Sequence, residues 1–136
     1  SVYGNTKKAV EELVDILKLK GYKKIKIADL AREDMAECVA AAFQYEKLVL
    51  ATTTYTNDIF PKMKEFIQHL VDRNYQNRII GFIGNGSWNP VVTKKMEKMF
   101  ESSTNITFLP TKVIIKTALN EENKTQLEDL AKELIN

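Results

Sequence analysis

Two spacings of apolar residues alternate along this chain. Val10, Leu13, Val14 and Leu17 recur at helical intervals, which predicts an amphipathic helix over residues 5–20. Gly21 supplies its stop. From residue 23 the period becomes two, with Ile25 and Ile27 set among Lys23, Lys24 and Lys26, and a strand is expected over residues 23–28. Asp34, with Glu37 three residues on, has the form of a capping box and predicts a short helix to about Phe43. The apolar run over residues 47–52 suits a parallel strand buried on both faces.

The same alternation continues. A polar stretch follows to Asp58, and Pro61 opens a helix whose buried stripe is Met63, Phe66, Ile67 and Leu70. Residues 79–83 form a further core strand that runs into a turn-rich loop. Asn89 and Pro90 then start a helix containing Val92, Met96 and Met99. Residues 106–108 and 112–116 read as strand pieces divided by Pro110. Asn120 caps a last helix with the stripe Leu127, Leu130, Ala131 and Leu134. Strands that alternate with helices predict a parallel sheet covered on both faces, a three-layer α/β architecture.

Composition narrows the class. The 136 residues are 44% hydrophobic and 28% charged, the proportions of one folded domain, expected to span residues 1–136. The 20 basic and 18 acidic residues are interspersed, so no nucleic-acid partner is expected. No apolar run approaches a membrane span. The single cysteine, Cys38, excludes an internal disulfide framework and suits a reducing, cytoplasmic setting. In its alanine-rich segment Cys38 reads as a small buried hydrophobe.

In an open doubly wound sheet, ligands bind beyond the carboxyl ends of the strands. Three segments fall there: residues 1–6, 52–60 and 84–88. All are rich in hydroxyls, amides, glycine and aromatics, and none contains Lys, Arg or His. Neutral donors beside flat apolar faces suit a phosphate joined to an aromatic ring system. The first segment, Ser1-Val2-Tyr3-Gly4-Asn5-Thr6, leads into a helix whose free N–H groups can hold a phosphate. The plain alternative is helix capping by Asn5 or Thr6. In the second, the threonines can simply prolong the preceding strand. Tyr55 there and Trp88 in the third can flank a flat ring, or be ordinary loop aromatics.

These motifs resemble those of the flavodoxins, whose phosphate loop has the pattern S/T-x-x-G-x-T. The stretches ATTTYTNDIFPKM, from Ala51, and GNGSWNP, from Gly84, look more specifically like the flavodoxin domain of flavodiiron proteins. The resemblance implies flavin mononucleotide (FMN) as cofactor, with its phosphate on Ser1, Gly4, Asn5 and Thr6 and with Tyr3 beside them. It implies the ribityl and ring near Thr53, Thr54, Tyr55, Thr56 and Asn57, with Asn85, Gly86, Ser87 and Trp88 on the other side. It implies electron transfer from a rubredoxin-like or reductase donor to a di-iron centre that reduces oxygen or nitric oxide. That centre belongs to a metallo-β-lactamase-like domain, expected in the same polypeptide, and the full-length form is expected to be a homodimer. Asp58 stands where many relatives have glycine.

The resemblance also implies the flavodoxin-like strand order 2-1-3-4-5. Residues 23–28 would be strand 2, and the central strand 1 is expected upstream of Ser1. His69 is the only histidine, and no His/Glu spacing suits di-iron, so no catalysis is expected from these residues alone. The alternatives are a stand-alone flavodoxin, an FMN-dependent quinone reductase, which would need longer loops, and a phosphoacceptor module, which would need acidic strand ends.

Overall fold

The helices begin and end where local chemistry marks them. α1 (Gly4–Leu19) is closed by Gly21 at φ +93°, with the Tyr22 amide donating to the Leu17 carbonyl at 2.9 Å. α2 (Met35–Phe43) is capped by Asp34, whose carboxylate accepts from the Glu37 amide at 3.2 Å. Then follow β1 (Lys47–Tyr55), β2 (Asp58–Ile59) and α3 (Pro61–Asp72), with Pro61 at the first helical position. β3 (Arg78–Asn85), α4 (Pro90–Met99), β4 (Ile106–Ile115) and α5 (Glu121–Ile135) complete the order. The Asn123 amide donates to Asn120 Oδ1 at 2.9 Å at the start of α5. The computed structural model describes residues 4–55, 58–85, 90–115 and 120–135, with the backbone alone for residues 4–6, 53–55, 58, 85 and 90–92.

The sheet runs β2-β1-β3-β4. β1, β3 and β4 are parallel, and β2 is a short hairpin return against the end of β1. These three parallel neighbours are the expected strands 3, 4 and 5. Their continuous apolar runs still divide by period two. Leu50, Ile80 and Phe82 face α2, α3 and α4, whereas Ile83, Val113 and Ile115 face α1 and α5. Each face closes a separate core, and Ile67, Leu70, Leu127 and Leu130 are wholly buried.

Two expectations change. Residues 22–29 form no strand. Lys23, Lys24 and Lys26 are exposed, and Ile27 is 51% exposed. A strand is held by a neighbour's ladder, and among the described residues none lies beside this segment. Pro110 does not divide two strands; it sits inside β4. The register passes from Ile80↔Phe108 to Phe82↔Lys112, so β4 carries extra residues in a bulge, where a missing N–H costs little. Gly81 lies opposite, and a Cβ there would come within 3.1 Å of Leu130 Cδ1 and 3.3 Å of Leu109 Cδ1. The expected helix from Pro90 is present as α4, which buries Thr93 and Met96 and leaves Met99 partly buried, with Phe100 buried just past its end.

Candidate functional site

The threonine run prolongs a strand: Thr53, Thr54 and Tyr55 are the last three residues of β1. Asn85 ends β3. Thr52 pairs in register with Gly84 and Thr53 with Asn85, while Asn85 pairs with Ile115 on β4. The carboxyl ends of all three parallel strands are therefore level.

Two contacts orient α1 against that end. Just past its C-terminus, the Tyr22 hydroxyl meets Lys47 Nζ at 3.2 Å, and Lys47 is the first residue of β1. α1 packs on β1 and β3 and spans 16 residues, about 24 Å at 1.5 Å per residue. Its start at Gly4 therefore points to the level of Thr53, near the far end of β1. Gly4, Asn5 and Thr6 are its first three residues. α5 runs the same way: Lys47 Nζ also donates to the Leu134 carbonyl, and Asn123 Nδ2 donates to the Ile114 carbonyl at 2.8 Å. The starts of α3 and α4, which follow β2 and β3, face the same end.

The electrostatics of this end are uneven. The first turns of α1, α3 and α4 contain no acidic residue, whereas those of α2 and α5 do. Three helix starts with their partial positive charges uncancelled favour an anion between them. Of the other expected site residues, Ser1, Tyr3, Thr56, Asn57, Gly86, Ser87 and Trp88 lie outside the described residues.

Two buried polar residues near this end were not singled out from the sequence. Thr93 is 7% exposed and Asn123 is 4% exposed. The signal was a polar residue one turn before an apolar stripe: Thr93 precedes Met96 and Phe100, and Asn123 precedes Leu127, Leu130 and Leu134. Asn123 ties α5 to the end of β4, and its Oδ1 is buried without a hydrogen-bond partner. Cys38 is buried in α2. Burial first, then the charges of Glu33, Asp34 and Glu37, push its thiol up, which keeps it protonated and inert. His69 contacts its own helix, with Nδ1 3.1 Å from Arg73 Nη1 and Nε2 3.7 Å from Glu65. Among the described residues, no group of three metal-ligating side chains converges, and no helix is long and apolar enough to cross a membrane.

A parallel sheet with helices on both faces, level strand ends and helix starts gathered over them defines a doubly wound α/β protein of flavodoxin-like fold. The family model described as the flavodoxin domain matches residues 1–131, and the chain belongs to that family, whose cofactor is FMN. No curated protein sequence matches it. Among solved structures it is similar to the rubredoxin oxygen:oxidoreductase of Desulfovibrio gigas, with a TM-score of 0.83 and 18% identity over 96% of this chain and 32% of that one. It is also similar to a Streptococcus pneumoniae flavodoxin, with a TM-score of 0.74 and 22% identity over 99% and 92% of the two chains. A flavo di-iron protein from Thermotoga maritima gives 0.74 and 19%, over 99% and 33%. The chain thus spans about a third of the two larger proteins and nearly the whole of the flavodoxin. An FMN phosphate is an anion, and the acid-free starts of α1, α3 and α4 fit it.

Proposed function

We propose that this chain is an FMN-binding electron-transfer domain that serves the di-iron site of a flavodiiron oxygen or nitric oxide reductase. The observation that carries the reading is the level register of Thr53 and Asn85 at one end of the sheet, with the acid-free start of α1 directed to it. Ser1, Gly4, Asn5 and Thr6 hold the phosphate by backbone and side-chain donors, with Tyr3 beside them. Thr53, Thr54, Tyr55, Thr56 and Asn57 line one side of the ring system, and Asn85, Gly86, Ser87 and Trp88 the other. When bound, FMN supplies the capacity to take up and release electrons. The protein's part is to fix the ring between two loops, keep its phosphate charge compensated and leave one edge accessible. Electrons reach it from a rubredoxin-like or reductase donor. The metallo-β-lactamase-like domain resides in the same polypeptide, which works as a homodimer.

The similarity to the two larger proteins supports the flavodiiron reading. A second reading, a stand-alone flavodoxin, is favoured by the 92% coverage of the Streptococcus protein. The outer edge of β1 between Lys47 and Thr53 has no described strand along it, and residues 22–29 are strandless. One further parallel strand fits between them, as the order 2-1-3-4-5 requires. The natural gene separates the two readings: a metallo-β-lactamase-like coding region in frame supports the first, and its absence the second.

The cofactor reading is tested by titrating the protein with FMN and recording the visible spectrum. Bound-flavin bands at one equivalent are expected. The double variant Tyr55→Ala, Trp88→Ala, checked for folding by circular dichroism, should bind at least about tenfold more weakly, from the loss of ring stacking on two sides. A folded protein whose spectrum is unaffected by FMN would overturn the reading.

A further inference from the structure

One border of the sheet has its hydrogen-bonding groups occupied from within the chain. β4 lies at the end of the order β2-β1-β3-β4, and among the described residues no strand runs along its outer side. It extends over Ile106–Ile115, is rich in β-branched residues, and leaves Ile106, Phe108 and Ile114 only half-buried. Such an edge offers unpaired N–H and C=O groups to any further strand. The middle of β4 does not. Between the pairs Ile80↔Phe108 and Phe82↔Lys112, Gly81 alone on β3 faces Leu109, Pro110 and Thr111 on β4. Pro110 is exposed and has no N–H to give. The Thr111 amide donates to the Glu133 carboxylate at 3.1 Å, and the Thr111 hydroxyl donates to the same carboxylate. The Leu109 carbonyl accepts from Lys112 Nζ at 3.1 Å, and Lys112 is held in turn by Glu97 at 3.8 Å. Glu133 belongs to α5 and Glu97 to α4, so the bulge is clamped from both faces of the sheet.

We propose that this clamped bulge closes the free edge of the sheet to a second copy of the chain. The inference goes beyond the cofactor reading and does not depend on it. A second copy is the partner that the geometry singles out. Two identical edges pair antiparallel about a twofold axis, and full overlap of residues 106–115 sets that axis between Pro110 and Thr111. The blocked groups therefore lie where both copies would meet, and each is met twice. The stretches on either side are short, and a bulge turns one out of line with the other, so a shifted register recovers little. Seating Leu109 against Gly81 accounts for a bulge but not for the carboxylate and ammonium that occupy its polar groups.

The test uses the protein expressed from its natural gene and reads self-association by sedimentation velocity, each variant against wild type. Pro110→Val with Glu133→Ala restores one edge N–H and frees another, and should associate at least about tenfold more tightly than wild type. In the associated form, amide exchange over residues 106–115 should slow at least about tenfold. A second double variant, Pro110→Lys with Glu133→Ala, restores the same groups but sets like charges beside the axis. It should associate no more than about twofold more tightly than wild type. Glu133→Ala alone leaves β4 intact, and alanine suits the helix, so it covers a first double variant that fails to fold; it should tighten association at least about threefold. Wild-type association of the folded first double variant overturns the proposal, as does that of Glu133→Ala where the double variant does not fold. Equal association of the two double variants overturns it too, since the contact would then lie elsewhere. Association without slowed exchange in β4 has the same consequence. FMN binding is read separately by the visible spectrum, so failure of the edge device leaves the cofactor reading standing, and failure to bind FMN leaves the edge device standing.

Discussion

Tyr75 is wholly buried, and its hydroxyl has no hydrogen-bond partner. Its ring meets Phe43 edge-on at 5.1 Å and Phe100 at 6.4 Å, and the Arg78 guanidinium carbon lies 5.0 Å from its centre. The ring therefore stabilises by packing and by a cation–π contact, while the hydroxyl costs desolvation with nothing in return. Burial pushes the phenol up to about 12, against the opposing charge of Arg78. The folded state thus keeps its proton where the unfolded chain, near 10, loses it. The associated stability is complete below pH 10 and is lost as pH rises through about 12, a change of about 3 kcal/mol. Tyr75→Phe should match or exceed the wild type by up to about 1 kcal/mol at pH 7. It should also remove that part of the alkaline loss, read as urea midpoints at pH 7, 10 and 11. A variant clearly less stable at pH 7 would mean that the hydroxyl has a partner.

At the scale of elements, the helices stand on local contacts and the strands do not. The Asp34 side chain holds the Glu37 amide within a few residues of sequence, so Asp34→Ala should cost about 1 kcal/mol in a denaturant midpoint with an unchanged slope. An unaltered midpoint would show the cap to be redundant with the packing of Cys38, Val39 and Ala42. Such signals are legible in residues 34–37 because both partners lie there. Residues 23–28 show the reverse. Their alternation is as clear as any in the chain, yet a strand needs a ladder partner, which no pattern within the segment can supply. Pro110 misleads for the same reason: the bulge that admits it is set by the register against Ile80 and Phe82 on another strand. The loop chemistry was legible as residue types. The pairing of Thr53 with Asn85 needed the topology.

At the scale of the whole molecule, two cores of described residues lie on opposite faces of β1, β3 and β4, and the proposed site lies where those strands end. A ligand that bridges the start of α1, on one face, and the starts of α3 and α4, on the other, couples the two cores. FMN at a hundred times its dissociation constant should therefore stabilise the chain by about 2.7 kcal/mol, a rise of roughly 8–10 °C in Tm for a domain of this size. Riboflavin separates the contributions. It offers the same ring to the loops ending β1 and β3 but no phosphate to the helix starts. Without that anion, the partial positive charge at the start of α1 has nothing to act on. At equal concentration, riboflavin should give less than half the FMN shift, and the gap should narrow with salt as the phosphate attraction is screened. Equal shifts for the two flavins would place the phosphate away from Gly4, Asn5 and Thr6, and the role of α1 would then be packing alone.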